Sequence, residues 1–153
     1  MTKTFAYEDL QPGVRISLGT KKVEAAEIIE FASEFDPQPM HLDEEAGKAS
    51  ILGGLSASGW HTASMFMRLF CDGLLLNSTG QGSPGLDYAR WKKPVLAGDT
   101  LEAFVTAVEA RLLKSRPGVG VVTLEGEMIN QEGEVVMELR NAVMFRTRAG
   151  AAA

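Results

Sequence analysis

An acid and a histidine stand five residues apart in Asp36-Pro-Gln-Pro-Met-His41-Leu-Asp43, and together they could move a proton. An imidazole, with an ordinary pKa of ~6.5, accepts a proton near neutral pH, and a carboxylate can share the same water. On a continuous helix this spacing would aim the two side chains in unrelated directions. The two prolines, Pro37 and Pro39, are expected to hold the chain extended instead, so that both side chains can face one cavity. The segment also has a purely structural reading. Asp before Pro commonly ends a helix, and a solitary histidine is commonly a hydrogen-bonded packing residue.

A second group lies downstream in Ser58-Gly-Trp-His-Thr-Ala-Ser64. Gly59 falls at the expected N-terminus of a helix, where free N–H groups and the helix dipole favour a developing negative charge. Glycine also lets a ligand approach the backbone closely, although tight loop packing alone would require it too. Ser58, Trp60, His61 and Ser64 are candidates to line or back a binding pocket. His61 with His41 and Asp43 invites a metal reading, which the absence of ligand spacing and of cysteine support argues against. Arg90, Lys92 and Lys93 form the densest basic cluster, followed by Arg111, Lys114 and Arg116. Either cluster suits an anionic ligand or a solvated strand end. Met40, Met65 and Met67 read as core fillers, a role that flexible methionine fills well.

The elements that must carry these residues follow from periodicity. Val14 to Leu18 reads as a short strand after the Gln11-Pro-Gly13 turn. From Lys22 to Phe35, Ile28, Phe31, Ala32 and Phe35 recur at helical spacing, and the prolines that follow must end that helix. A short helix is expected over Glu44 to Lys48. Trp60 to Phe70 is apolar on nearly every side, which predicts a helix buried on most sides. After a polar loop over Asn77 to Pro84, only strands are expected: Gly85 to Trp91, Thr100 to Leu113, Val119 to Ile129 and Val135 to Phe145. Turns at Arg116-Pro-Gly118 and Gln131-Glu-Gly133 join the last three. One buried helix followed by an antiparallel meander is an α+β pattern, with a curved sheet wrapped around the helix.

Bulk properties set the outer limits. With 153 residues, 45% hydrophobic and 23% charged, the chain is expected to form one globular domain over 1–148, with 149–153 as a frayed tail. Cys71 is the only cysteine, so no intrachain disulfide can form. The first residues lack the apolar run of a signal peptide and no stretch approaches the ~20 apolar residues of a membrane span, so a cytoplasmic protein with no membrane partner is expected. A net charge of −5 argues against general nucleic-acid binding but not against a locally bound anion.

Three separated segments resemble the MaoC-like dehydratase and (R)-specific enoyl-CoA hydratase family, over about Val14 to Phe145. Phe31-Ala-Ser-Glu-Phe-Asp36-Pro-Gln-Pro-Met-His41-Leu-Asp43 looks like the family's active-site segment. Ala57-Ser-Gly-Trp-His-Thr-Ala-Ser64 is similar to the start of its central helix. Tyr88-Ala-Arg-Trp-Lys-Lys-Pro94-Val-Leu-Ala-Gly98-Asp99 is similar to its strand-turn-strand signature. The resemblance implies a hotdog fold and reversible hydration of a trans-2-enoyl-CoA to a 3-hydroxyacyl-CoA, with Asp36 and His41 as the catalytic pair. It implies no metal and no redox cofactor, coenzyme A entering only as part of the substrate. Which of the pair performs which proton transfer stays open, and the two are treated as one coupled unit. The oxyanion falls to Gly59, the acyl pocket to Ser58, Trp60, His61 and Ser64, and the coenzyme A phosphates to Arg90, Lys92 and Lys93. Ser58-Gly59 departs from the His-Gly of many family hydratases, which bears on the acyl substrate more than on the reaction. Two other functions fit the fold: a thioesterase and a non-catalytic acyl-CoA-binding protein. The lack of any acidic residue from Leu55 to Cys71 speaks against the first, and the intact pair against the second. A homodimer or higher homo-oligomer is expected, because exposed sheet edges need cover.

Overall fold

The computed structural model describes residues 4–152. Strand β1 (Arg15–Lys22) leads into helix α1 (Ala25–Phe35), a short helix α2 (Glu44–Ala49) and the long helix α3 (Gly59–Gly73). Strands β2 (Gly85–Trp91), β3 (Thr100–Leu112), β4 (Val119–Ile129) and β5 (Val135–Arg146) follow, and helix α4 (Arg148–Ala152) closes the described chain. All five strands form one sheet in the order β1-β3-β4-β5-β2, every pairing antiparallel. The architecture is α+β and of the hotdog type, a sheet laid against a long helix.

Alternation writes this sheet. In β3, Leu101, Ala103, Val105 and Ala107 are buried, and the residues between them are less so. In β4, Val122, Leu124 and Met128 do the same, and in β5 Met137, Leu139, Val143 and Phe145 share the inward face. Met65, Phe66, Leu69 and Phe70 of α3 complete that core. Each such large side chain contributes ~1.5–3 kcal/mol on burial. Close contact requires Gly126: a Cβ there would stand 2.5 Å from Phe66 Cζ, so glycine lets the ring lie against the strand.

The structure corrects several expectations. Helix α3 is the central helix expected, but one of its faces stays open: Trp60 is 65% exposed and Met67 46%, with Ser64 and Arg68 beside them. Strand β1 runs on to Lys22, carried past Ser17 by a bulge at Gly19 (φ +103°), so α1 begins three residues later than its periodicity suggests. Residues 149–152, expected as a tail, lie in α4, whose Gly150 N–H bonds the Thr147 hydroxyl. Arg148 reaches from that helix to Glu8 and Asp9. Ala153 lies outside the described residues. No helix among those described is long and apolar enough to cross a membrane.

Candidate active site

Asp36 caps the C-terminus of α1, its N–H bonded to the Ala32 carbonyl at 2.9 Å. Pro37 stops the helix there. The chain is extended only as far as Gln38, however. Pro39 opens a 3-10 turn over Pro39–His41, the first-turn position where its fixed φ and missing N–H cause no loss. The turn, rather than an extended run, swings His41 back toward Asp36. Nε2 of His41 lies 3.6 Å from Asp36 Oδ2.

The partners of each group define its state. Asp36 Oδ2 accepts a hydrogen bond from Ser58 Oγ and Oδ1 accepts one from Gln38 Nε2, both at 2.7 Å. The Ser58 bond first, then the Gln38 bond, holds the carboxyl below the usual carboxylate range; burial opposes this weakly and the nearby His41 adds to it. Asp36 is therefore ionised at neutral pH. His41 is buried, and its Nδ1 sits 2.7 Å from the Ser56 carbonyl. A carbonyl can only accept, so Nδ1 carries a hydrogen and Nε2 is the ring nitrogen turned toward Asp36. The result is a carboxylate and an imidazole nitrogen turned toward each other.

Gly59 is the first residue of α3. The N-cap Ser58 donates its hydroxyl to Asp36 and accepts no bond from the helix, so first-turn N–H groups remain available beside the pair. Trp91 packs over Gly59: its Nε1 donates to the Gly59 carbonyl at 2.8 Å, and a Cβ at 59 would stand 2.7 Å from the ring. His41, Gly59, Thr62, Trp91, Lys92 and Lys93 are among the residues around one cavity of about 310 Å³.

The remaining predicted residues are dispersed. Trp60 lies on the outer face of α3, its ring edge-on to Trp91 with centroids 5.6 Å apart. His61 and Ser64 line a different groove, between α1 and α3. Arg90 stacks on Tyr88 and pairs with Glu138 at 3.4 Å, away from the cavity. Lys92 also faces Glu138, at 3.6 Å, and Lys93 pairs with Glu134, so the basic cluster is largely matched by carboxylates. Gln38, Ser56 and Trp91 take part in the geometry but were not among the expected site residues. Gln38 sits inside the motif between its prolines, where it could have been found. The Ser56 carbonyl acts through backbone, 15 residues from His41, and no side-chain pattern signals it. Among the described residues no group of three or more His, Cys, Asp or Glu side chains is placed to hold a metal ion.

The fold is that of the hotdog hydratases and dehydratases. The MaoC-like domain family matches residues 10–145, and the chain belongs to that family. It is similar to the crystal structure of the MaoC-like dehydratase from Rhodospirillum rubrum, with 41% identity and a TM-score of 0.87, covering 94% of this chain and 98% of that one. The (R)-hydratase from A. caviae involved in PHA biosynthesis superposes with a TM-score of 0.71 at 26% identity, over 89% of this chain and 97% of that one. YdeM, an uncharacterized protein of Bacillus subtilis, is 28% identical over 125 residues, 82% of this chain and 87% of its own.

Proposed function

We propose that the protein is a hydratase that adds water reversibly to a trans-2-enoyl-CoA, giving a 3-hydroxyacyl-CoA. The observation that carries this reading is the pairing of Asp36 with His41. The ionised carboxylate of Asp36 and Nε2 of His41 converge 3.6 Å apart, beside the first turn of α3. That distance lets one water hydrogen-bond both groups. The water oxygen bonds to the β-carbon while the pair takes one of its protons. The electron pair of the C=C bond moves to the α-carbon and thioester oxygen, and the pair then returns a proton to the α-carbon. The books balance without oxidant or metal, coenzyme A being part of the substrate. The Gly59 N–H, at the positive end of α3, is the donor for the enolate-like oxygen. The naming of relatives as a dehydratase and an (R)-hydratase supports the same chemistry.

Incubation with crotonyl-CoA tests it: the absorbance of the conjugated thioester falls and no thiol is released. Thiol release with persistent conjugation would identify a thioesterase instead. The coenzyme A end is assigned to Lys92 and Lys93 at the rim of the cavity. Replacing both with alanine raises KM by no more than a few-fold and makes it less salt-sensitive, with kcat nearly unchanged. Contacts remote from the reacting carbons bind ground and transition states alike, and Glu134 and Glu138 already compete for these cations. An unchanged KM and salt dependence would move the phosphate site to Arg111, Lys114 and Arg116.

A further inference from the structure

Thr62 is 1% exposed, yet its hydroxyl bonds no group of the protein among the described residues. A buried serine or threonine inside a helix ordinarily bonds the carbonyl four residues back. Ser33 and Ser64 do so, at 2.7 and 2.8 Å. The Ser58 carbonyl stands at the same position for Thr62 and accepts its N–H at 2.9 Å, but takes nothing from its hydroxyl. Nor is that hydroxyl walled in. Among the described residues, the enclosed side-chain nitrogen and oxygen atoms without a partner belong to His61 and Asn141. The Thr62 oxygen therefore reaches open space, and the space beside Thr62 is the cavity of about 310 Å³ that His41 and Gly59 also line.

The other polar side chains around this cavity are taken. Ser56 Oγ lies 3.3 Å from His41 Nδ1, and Trp91 Nε1 donates to the Gly59 carbonyl. Lys92 and Lys93 face Glu138 and Glu134. Thr62 carries the hydroxyl that remains free. Its place on the helix says what it can reach. Helical side chains lean toward the N-terminus, over the preceding turn, and positions three and four apart are neighbours. Thr62 therefore overhangs Ser58 and Gly59 on the side of α3 that meets the cavity. We propose that Thr62 Oγ1 donates a second hydrogen bond to the thioester oxygen, beside the Gly59 N–H, and is a catalytic residue. The inference rests on the hydratase reading.

The chemistry suits a hydroxyl at this point. As water adds to the β-carbon, negative charge builds on the thioester oxygen, which has lone pairs for two donors. One backbone N–H meets only half of that capacity. A neutral hydroxyl costs far less to bury than a charged donor while the cavity is empty, and its hydrogen can rotate toward the charge as it forms. Leu52, Ala57 and Val95 also line the cavity, and a donor counts for more in such apolar surroundings than in water. Thr62 keeps its proton throughout, so the proton transfers of Asp36 and His41 balance as before.

The test is Thr62→Val, which removes the hydroxyl at nearly constant shape, assayed with crotonyl-CoA. It is expected to lower kcat by about 100-fold with little change in KM, the scale of losing one oxyanion donor. Thr62→Ser, which restores a hydroxyl, recovers most of that loss. Thr62→Ala removes the same group without added bulk, and it decides the matter if the valine variant does not fold. A spectroscopic signature separates this role from packing. In the Asp36→Asn background, where turnover is slow, bound 2,4-hexadienoyl-CoA is expected to absorb further to the red than the free thioester. Hydrogen bonds to its oxygen draw charge along the conjugated chain, and adding Thr62→Val reduces the shift. An unchanged kcat, a loss confined to KM, or a red shift that is absent or undiminished overturns the inference. If crotonyl-CoA is hydrated equally with and without the Thr62 hydroxyl, only the inference fails; if the unmodified protein hydrates no enoyl-CoA, the hydratase reading fails with it.

Discussion

At the scale of residues, the partners of Asp36 and His41 decide what each group has free. The Ser56 carbonyl takes the Nδ1 hydrogen of His41, and Ser58 and Gln38 keep Asp36 charged. Asp36→Asn and His41→Ala are each expected to lower kcat by at least ~100-fold with the fold intact, the scale of losing a positioned acid or base. The double variant should lose little more than the worse single one, because both groups act on one water. Additive losses in that cycle would contradict a shared water. Ser58→Ala has a different signature. It removes the largest cause of the depressed Asp36 pKa, so the carboxyl protonates at higher pH than before. The acid limb of kcat/KM against pH then moves upward, with activity at neutral pH falling far less than in Asp36→Asn. The same sign holds for stability. A carboxyl depressed in the folded state stabilises above its unfolded pKa, and that contribution is lost as pH falls through the folded value. An acid limb that stays in place would assign it to another group.

At the scale of elements, the site is a junction of three pieces: the end of α1, the 3-10 turn and the start of α3. Strand β2 ends against the same junction through Trp91, which spans from sheet to helix by its bond to the Gly59 carbonyl. Gly59→Ala would force that ring away, because no Cβ tolerates a 2.7 Å contact with an aromatic carbon. Trp91 is 44% exposed and can swing outward. The expected outcome is therefore a modest loss of stability, about 1 kcal/mol for the hydrogen bond, with a larger loss of activity as the oxyanion donor and cavity wall shift. Thermal melts beside kcat/KM distinguish this from global unfolding; a variant with full activity would remove Gly59 from the oxyanion role.

At the scale of the whole molecule, the surface that remains apolar points to a second copy of the chain. The outer face of α3 exposes Trp60 and Met67, and the unpaired edge of β2 exposes Leu86, which is 54% accessible. An edge strand of this kind invites pairing across a two-fold axis, and the homo-oligomer expected from the sequence would cover both features. Light scattering at micromolar concentration is expected to report at least a dimer, and Met67→Glu to weaken it. A stable species of 16.5 kDa in the unmodified protein would rule this out.

Much of this organisation is present in the sequence because periodicity is local. Alternation in β3 to β5 fixes which face of each strand turns inward, and the apolar stretch from Trp60 to Phe70 marks the helix that meets it. The prolines around Asp36 and His41 fix where α1 must end. What local patterns cannot carry is contact between distant segments. Trp60 and Met67 have the character of core residues, yet one sheet has only one face to offer α3, and they remain outside. Ser58 has the sequence of a helix cap, whose oxygen would accept from a first-turn N–H, but its hydroxyl donates instead to Asp36, which α1 brings to it from 22 residues away. His61 reads as one more pocket residue beside Trp60 and Ser64. Only the packing of α1 on α3 buries its ring against Phe31 and sets Nε2 3.6 Å from Glu27 Oε1, since burial and partners are properties of the neighbours that folding supplies.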